Sequence, residues 1–411
     1  MQKTSLALNN LRGYAILIVL AFHSCIAYIA NQPAANSAFN APPFDWLAHP
    51  IVDPDRFIGF DLFCALQFLY MMQLMFFLSG LFVWPSLRRK GPVQFLLDRF
   101  LRLGVPFLIG VYVLMPLAYY PVYRVTAADA GWWQYWAHLH ALPFTPTGPL
   151  WFLFFAFALN IVAAAVFWLA PRTGELLTRF SAKAADRPLA FCLVLAAVSA
   201  LAYIPVASVT TPWQWVMFGP IAFQSGFASQ YVIYFFAGVL IGALSLDRGV
   251  LRLDGPLVRR WGRWVAGALA VFVLWIVPTA LSVKGPGETL PGLQTVADIA
   301  LVLYAASACL GLSAIFLRFA AVRRPIFEGV AENAYGIYLF HYLFVLWAQY
   351  TLLRLSLPGV VKGVVVFAVT LLLSWAVSTA VCRTWLGNRL IGGRRVETSR
   401  SRRAESGQPA E

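Results

Sequence analysis

Charged side chains are scarce in this sequence: 12% of its 411 residues are Asp, Glu, Lys or Arg, against about 25% in a soluble globular domain. So little charge cannot solvate the surface of a soluble fold of this length, and 60% of the residues are hydrophobic. Missing too are the alternating segments of about ten residues that a transmembrane barrel needs. There is no CxxC pair, and no His stands near a Cys at metal-ligand spacing. Cys25, Cys64, Cys192, Cys309 and Cys382 lie in or at the edges of apolar runs and read as small hydrophobes set in lipid, so no metal site is expected. A single basic stripe is absent as well. The formal charge of +14 is scattered over loops and a tail, which excludes the usual footprint of a nucleic-acid partner.

What the sequence does hold is long apolar runs, enough of them at 18 residues or more to cross about 30 Å of hydrocarbon as helices. The expected fold class is an all-α integral membrane protein of about ten transmembrane helices, placed at 11–30, 58–84, 101–119, 149–170, 188–208, 231–246, 264–282, 296–317, 331–353 and 360–382. Segments 132–144 and 216–229 are aromatic-rich but short and broken by Pro or Gly, which suits interfacial or re-entrant structure. Lys and Arg divide unevenly between alternate loops, 26 of the 31 on one side. Short cytoplasmic loops keep positive charge, so the N- and C-termini are both expected in the cytoplasm. Arg56, Arg124, Lys284, Arg354 and Lys362, with Asp45, Asp53 and Asp55, fall outside. The first apolar run exceeds a secretory h-region and carries His23, so it reads as a retained helix. Residues 1–391 form the ten-helix membrane domain, and 392–411 a disordered polar cytoplasmic tail. Two outer loops, 31–57 and 120–148, are long for connectors and rich in Trp, Phe, Pro and His, as loops that cover a site are.

Arg12 and His23 are 11 positions apart, three helical turns plus about 20°. They share a face, with a rise of roughly 16 Å from the membrane surface toward its middle. A polar ring in hydrocarbon persists only with a partner or a wet cavity, so His23 is a functional candidate; packing against a neighbouring helix is the bland alternative. His341, in the stretch Tyr335–Leu346, reaches nearly the same depth and could face the same space, although taken alone it reads as a structural histidine. In the basic loop that runs from Arg88, Arg89 and Lys90 to Arg102, Arg99 and Arg102 are three apart and point one way on an amphipathic helix ending at Pro106. They fit either a phosphate clamp or simple attraction to anionic lipid. Asp61, Gln67, Gln73, Ser79, Asn160 and Asp298 read mostly as interhelical hydrogen-bonding groups, and Glu332 and Asn333 as caps of the helix that leads to His341.

The order of four pieces resembles acyltransferase family 3, the bacterial multi-span enzymes that O-acylate sugars: LNNLRGYAILIVLAFH in the first helix, FFLSGLF ending the second, GPLWFL opening the fourth and NAYGIYLFH in the ninth. RFLRLGVP after the second helix adds a fifth. The resemblance implies that His23 is the essential catalytic histidine, that Arg12 engages the acyl donor and that Arg99 and Arg102 lie at the donor phosphates. Many members carry an acid before the FF of the second helix; Gln73 stands there here, as in the glucan succinyltransferase-like branch. With no hydrolase-like domain after the last helix, the chain also departs from the peptidoglycan-acetylating subgroup.

The expected activity is membrane O-acyl transfer, of acetyl or succinyl class, from cytoplasmic acyl-CoA to a hydroxyl of a carbohydrate or glycolipid acceptor. His23 would be general base, with His341 a second catalytic candidate and Tyr338 or His341 candidate oxyanion donors. No permanently bound cofactor is expected. Acyl-CoA is the co-substrate, membrane lipid the surroundings, and the bacterial inner membrane the location. The rival reading is a secondary transporter whose intramembrane His, Asp and Gln form a relay, although neither inverted repeats nor paired broken helices are visible.

Overall fold

A computed structural model describes residues 3–127, 131–210, 215–218, 221–282, 291–323 and 325–392. Helix dominates because the apolar runs must satisfy every backbone N–H and C=O internally. The ten long helices are α1 (Lys3–Cys25), α2 (Ile58–Gly80), α3 (Pro92–Thr126), α4 (Trp151–Leu169), α5 (Pro188–Val209), α6 (Ser225–Ala243), α7 (Trp261–Ser282), α8 (Pro291–Phe319), α9 (Pro325–Leu352) and α10 (Gly359–Cys382). Every expected segment is found, and the protein is an all-α, multi-pass membrane protein. Among the described residues nine helices are long and apolar enough to cross a membrane. The exception, α9, is long enough but carries Asn333, His341, Gln349 and several tyrosines, and much of it is buried against its neighbours.

Prolines shape the way α9 is held. Pro106 has no N–H to give the carbonyl four residues earlier, Arg102, and Pro121 leaves Leu117 in the same position. Both freed carbonyls of α3 are taken by α9: Tyr335 Oη donates to Arg102 O, and Trp347 Nε1 donates to Leu117 O at 2.9 Å. Two π-turns, Phe100–Gly104 and Gly110–Leu114, interrupt α3 in the same region, as inserted turns often do near functional sites. On the other flank the FFLSG run ends where α2 crosses α6. A Cβ at Gly80 would lie 2.1 Å from Phe235 O, and one at Gly238 2.1 Å from Phe77 O, so only glycine permits this approach.

The loops sort onto two sides. Thr4 bonds Asp247, Arg252 bonds Asp186, and Asn10 donates to Ala320 O, which gathers the basic loops at one end. At the opposite end the loop after α1 folds inward. Its Phe39, Phe44 and Trp46 stack with Tyr119, Tyr123, Tyr135 and Phe144, so the two long loops form one aromatic cap. Lys362, fully buried at the start of α10, pairs with Asp53 at 2.9 Å and Asp55 at 2.8 Å and pins that loop. Within 120–148 a helix forms at Trp132–Ala141. Across the start of the segment 216–229 the structure places an antiparallel ribbon, Trp215–Phe218 with Ile221–Gln224, and its remainder, from Ser225, begins α6. The expected tail lies outside the described residues from 393 onward.

Candidate active site

His23 and His341 come together. Their ring centroids are 5.4 Å apart, and Tyr342 closes on His23 at 5.2 Å, edge to face. α1 ends two residues beyond His23, so the imidazole sits near the end of its helix away from the basic loops, higher than the mid-membrane depth the spacing suggests. A carbonyl this close to a helix end lacks its N–H partner four residues on. Gln349 of α9 supplies one, its Nε2 donating to His23 O at 2.8 Å. His341 is 1% exposed, and its Nδ1 lies 2.6 Å from Tyr338 O. Since a carbonyl can only accept, Nδ1 carries the proton and Nε2 keeps a bare lone pair. That Nε2 is buried and has no partner among the described residues.

The GPLWFL run explains how this end is shaped. Gly148 has φ +49°, and a Cβ there would meet Met115 Sδ at 2.8 Å and the Tyr342 ring at 3.0 Å, so both backbone and space require glycine. The turn aims Pro149 O at α9, where it accepts from Tyr338 Oη. Tyr338 is thereby engaged on the backbone, which leaves its hydroxyl proton unsuited to the oxyanion role expected of it. Tyr342, Tyr119 and Trp46 continue in a chain of ring contacts at 5.8 and 5.3 Å, linking His23 to the aromatic cap.

α1 and α9 pack along a seam, and Arg12, Arg99 and Arg102 cluster at its end opposite the histidines. Arg12 lies over the Phe82 ring, 5.5 Å from its centroid, and Arg99 over Phe95 at 5.1 Å. Arg12 and Arg102 are both within electrostatic reach of Arg99. The neighbouring carboxylate of Asp98 is engaged by Lys90, and among the described residues none of the three arginines makes an ion pair. Arg12 and Arg102 are exposed although Leu11, Gly13 and Gly104 beside them are buried, an arrangement that offers guanidinium groups to an anion from solution. Tyr335, Tyr338 and His341 follow one another along α9 over a rise of about 9 Å, from Arg102 to the histidine pair.

Other polar residues singled out by sequence have structural partners. Asp61 accepts from the backbone N–H of Ala30 and Asn31 at 2.7 and 2.8 Å, Gln73 donates to Gln230 of α6 at 3.1 Å, and Asn160 donates to Ala156 O at 2.6 Å. Asn333 caps nothing, because α9 begins eight residues earlier at Pro325. Its Oδ1 accepts instead from Ser378 and Thr379 of α10. The residues sequence reasoning missed are Gln349, Tyr342, Tyr119 and Tyr335. One signal was present: Tyr335, Tyr338 and Tyr342 recur at helical spacing on one side of α9.

A multi-span helical protein that brings two imidazoles together within its apolar core fits the class of membrane enzymes or proton-handling proteins. A family model described as an acyltransferase domain, acyltransferase family 3, matches residues 5–379, and the chain belongs to that family. It is a membrane acyltransferase acting on groups other than amino-acyl groups. No curated protein and no solved structure matches the chain.

Proposed function

We propose that this enzyme resides in the bacterial inner membrane and moves an acetyl- or succinyl-class group from cytoplasmic acyl-CoA to a hydroxyl of a carbohydrate-containing acceptor. The observation that carries the reading is the placement of the two histidines, 5.4 Å apart, at one end of the seam whose other end gathers three arginines that make no ion pair among the described residues. The arginines hold the donor phosphates, where a guanidinium fork meets phosphate oxygens with paired charge-assisted bonds. The flexible arm of the donor carries the thioester up the seam. His23 removes the proton of the acceptor hydroxyl, its oxygen attacks the thioester carbonyl, the C–S bond breaks, and the thiolate leaves to take up a proton. The bare Nε2 of His341 serves as a proton acceptor beside His23, in place of the oxyanion-donor role. Gln73, where many members carry an acid, favours the succinyl side of the choice.

The test uses inside-out membrane vesicles given acyl-CoA labelled in its acyl group. Label recovered as a base-labile ester on a glycan or glycolipid is the expected result. Accumulation of solute without ester formation would instead support the transporter reading.

A further inference from the structure

An apolar groove of about 590 Å³ lies between α4, α5, α6 and a surface helix, Thr173–Asp186, and takes no part in the site above. Thr173, Leu177, Phe180 and Ala184 of the surface helix face it, one stripe at helical spacing. Lys183 and Arg187 stand at its rim. Trp84, edge to face with Phe167 at 5.1 Å, forms one wall. Beyond the indole a second cavity of about 650 Å³ is lined by Arg88, Glu175, Thr178 and Arg179.

Four cations therefore border the two cavities against a single carboxylate, Glu175. Arg88, Arg179, Lys183 and Arg187 are all exposed, and among the described residues none makes an ion pair. An apolar groove alone would accept any lipid tail. The uncompensated charge at its mouth selects the headgroup, as basic pockets beside transmembrane helices do for anionic lipids. Burial of a tail against Leu177, Phe180, Val194 and Val198 supplies affinity roughly in proportion to the apolar area covered.

We propose that this groove is a specific site for an anionic phospholipid, its acyl chain lying in the groove and its phosphate on Lys183 and Arg187, with Arg88 and Arg179 steering it from the adjoining cavity. The bound lipid fastens the surface helix to the bundle. The site is independent of the acyl-transfer reading.

The test is thermal melting of the purified full-length protein in detergent with added phosphatidylglycerol, phosphatidylcholine of the same chains, or glycerol 3-phosphate. Phosphatidylglycerol is expected to raise the melting temperature in a saturable manner and the other two are not. In Lys183→Gln/Arg187→Gln the apparent affinity for phosphatidylglycerol should fall on the order of thirtyfold. Arg259→Gln/Arg260→Gln, in another basic loop, should leave it unchanged. Ala190→Trp, which fills the groove from its exposed wall, should abolish the shift with the headgroup cations intact, so the proposal stays testable if the charge variant misfolds. An equal shift with phosphatidylcholine, a shift with glycerol 3-phosphate alone, or a shift that survives Ala190→Trp would overturn it.

Discussion

Because a carbonyl accepts but cannot donate, the contact between Tyr338 O and His341 Nδ1 fixes which nitrogen of His341 is free, and Nε2 is the one without a partner among the described residues. An unpaired buried acceptor costs about 1–3 kcal/mol, a loss that is tolerated where a reacting group completes the bond. His23 is held differently, through its own carbonyl by Gln349 and through ring contacts with His341 and Tyr342. The arginines invite a test at the same scale. Replacing Arg12, Arg99 or Arg102 by Lys keeps the charge that lipid and topology need but loses the planar fork. The apparent Michaelis constant for acyl-CoA should rise in each Lys variant with acceptor saturating, by about tenfold for a lost charge-assisted bond of 1.5 kcal/mol or so. Three variants matching the parent would mean that these arginines serve topology only.

Between elements, the outer loop and α10 are joined through Lys362, which pairs with buried Asp53 and with partly exposed Asp55. Lys362 and Asp53 are both fully buried, and removing one member of such a pair strands the other charge at a cost of about 3–5 kcal/mol. Lys362→Met should therefore lower the melting temperature and open the loop 31–57 to protease, whereas Lys362→Met combined with Asp53→Leu should recover much of the stability. A single variant as stable as the parent would show that the pair does not pin the loop. The stitching of α3 to α9 follows a different logic: Pro106 and Pro121 weaken α3 locally, and the carbonyls they free become anchors for Tyr335 and Trp347. The helix that carries His341 is positioned by the defects of its neighbour.

At the scale of the whole molecule, the long apolar runs and their charge asymmetry made the helices legible, because lipid demands both. The seam was partly legible: Arg12 and His23 lie on one helix, so their relation follows from helical geometry alone. The partners brought from afar were not. Gln349 reaches His23 across 326 positions and Lys362 reaches Asp53 across 309, and no periodicity encodes such pairings. Asn333 does not act as the cap that the sequence suggests because α9 reaches back to Pro325 through Glu328, Gly329 and Glu332, which interrupt the apolar pattern that would mark its start. Topology can be checked directly. A membrane-impermeant thiol label applied to intact cells should reach cysteines introduced in 31–57 but not in 248–263, and labelling of the second loop would refute the orientation drawn from the charge split.

The most direct measurement of the central claim, that the histidine pair performs acyl transfer, is the rate of labelled acyl transfer from acyl-CoA by purified His23→Ala and His341→Ala proteins, with melting temperature recorded alongside. Loss of a general base typically costs 10² to 10⁴ in rate. The account predicts a fall of about that size for His23→Ala, and a substantial fall for His341→Ala, in protein that still inserts and melts as the parent does. Near-parental transfer by His23→Ala would contradict it and return this imidazole to the role of a packing residue.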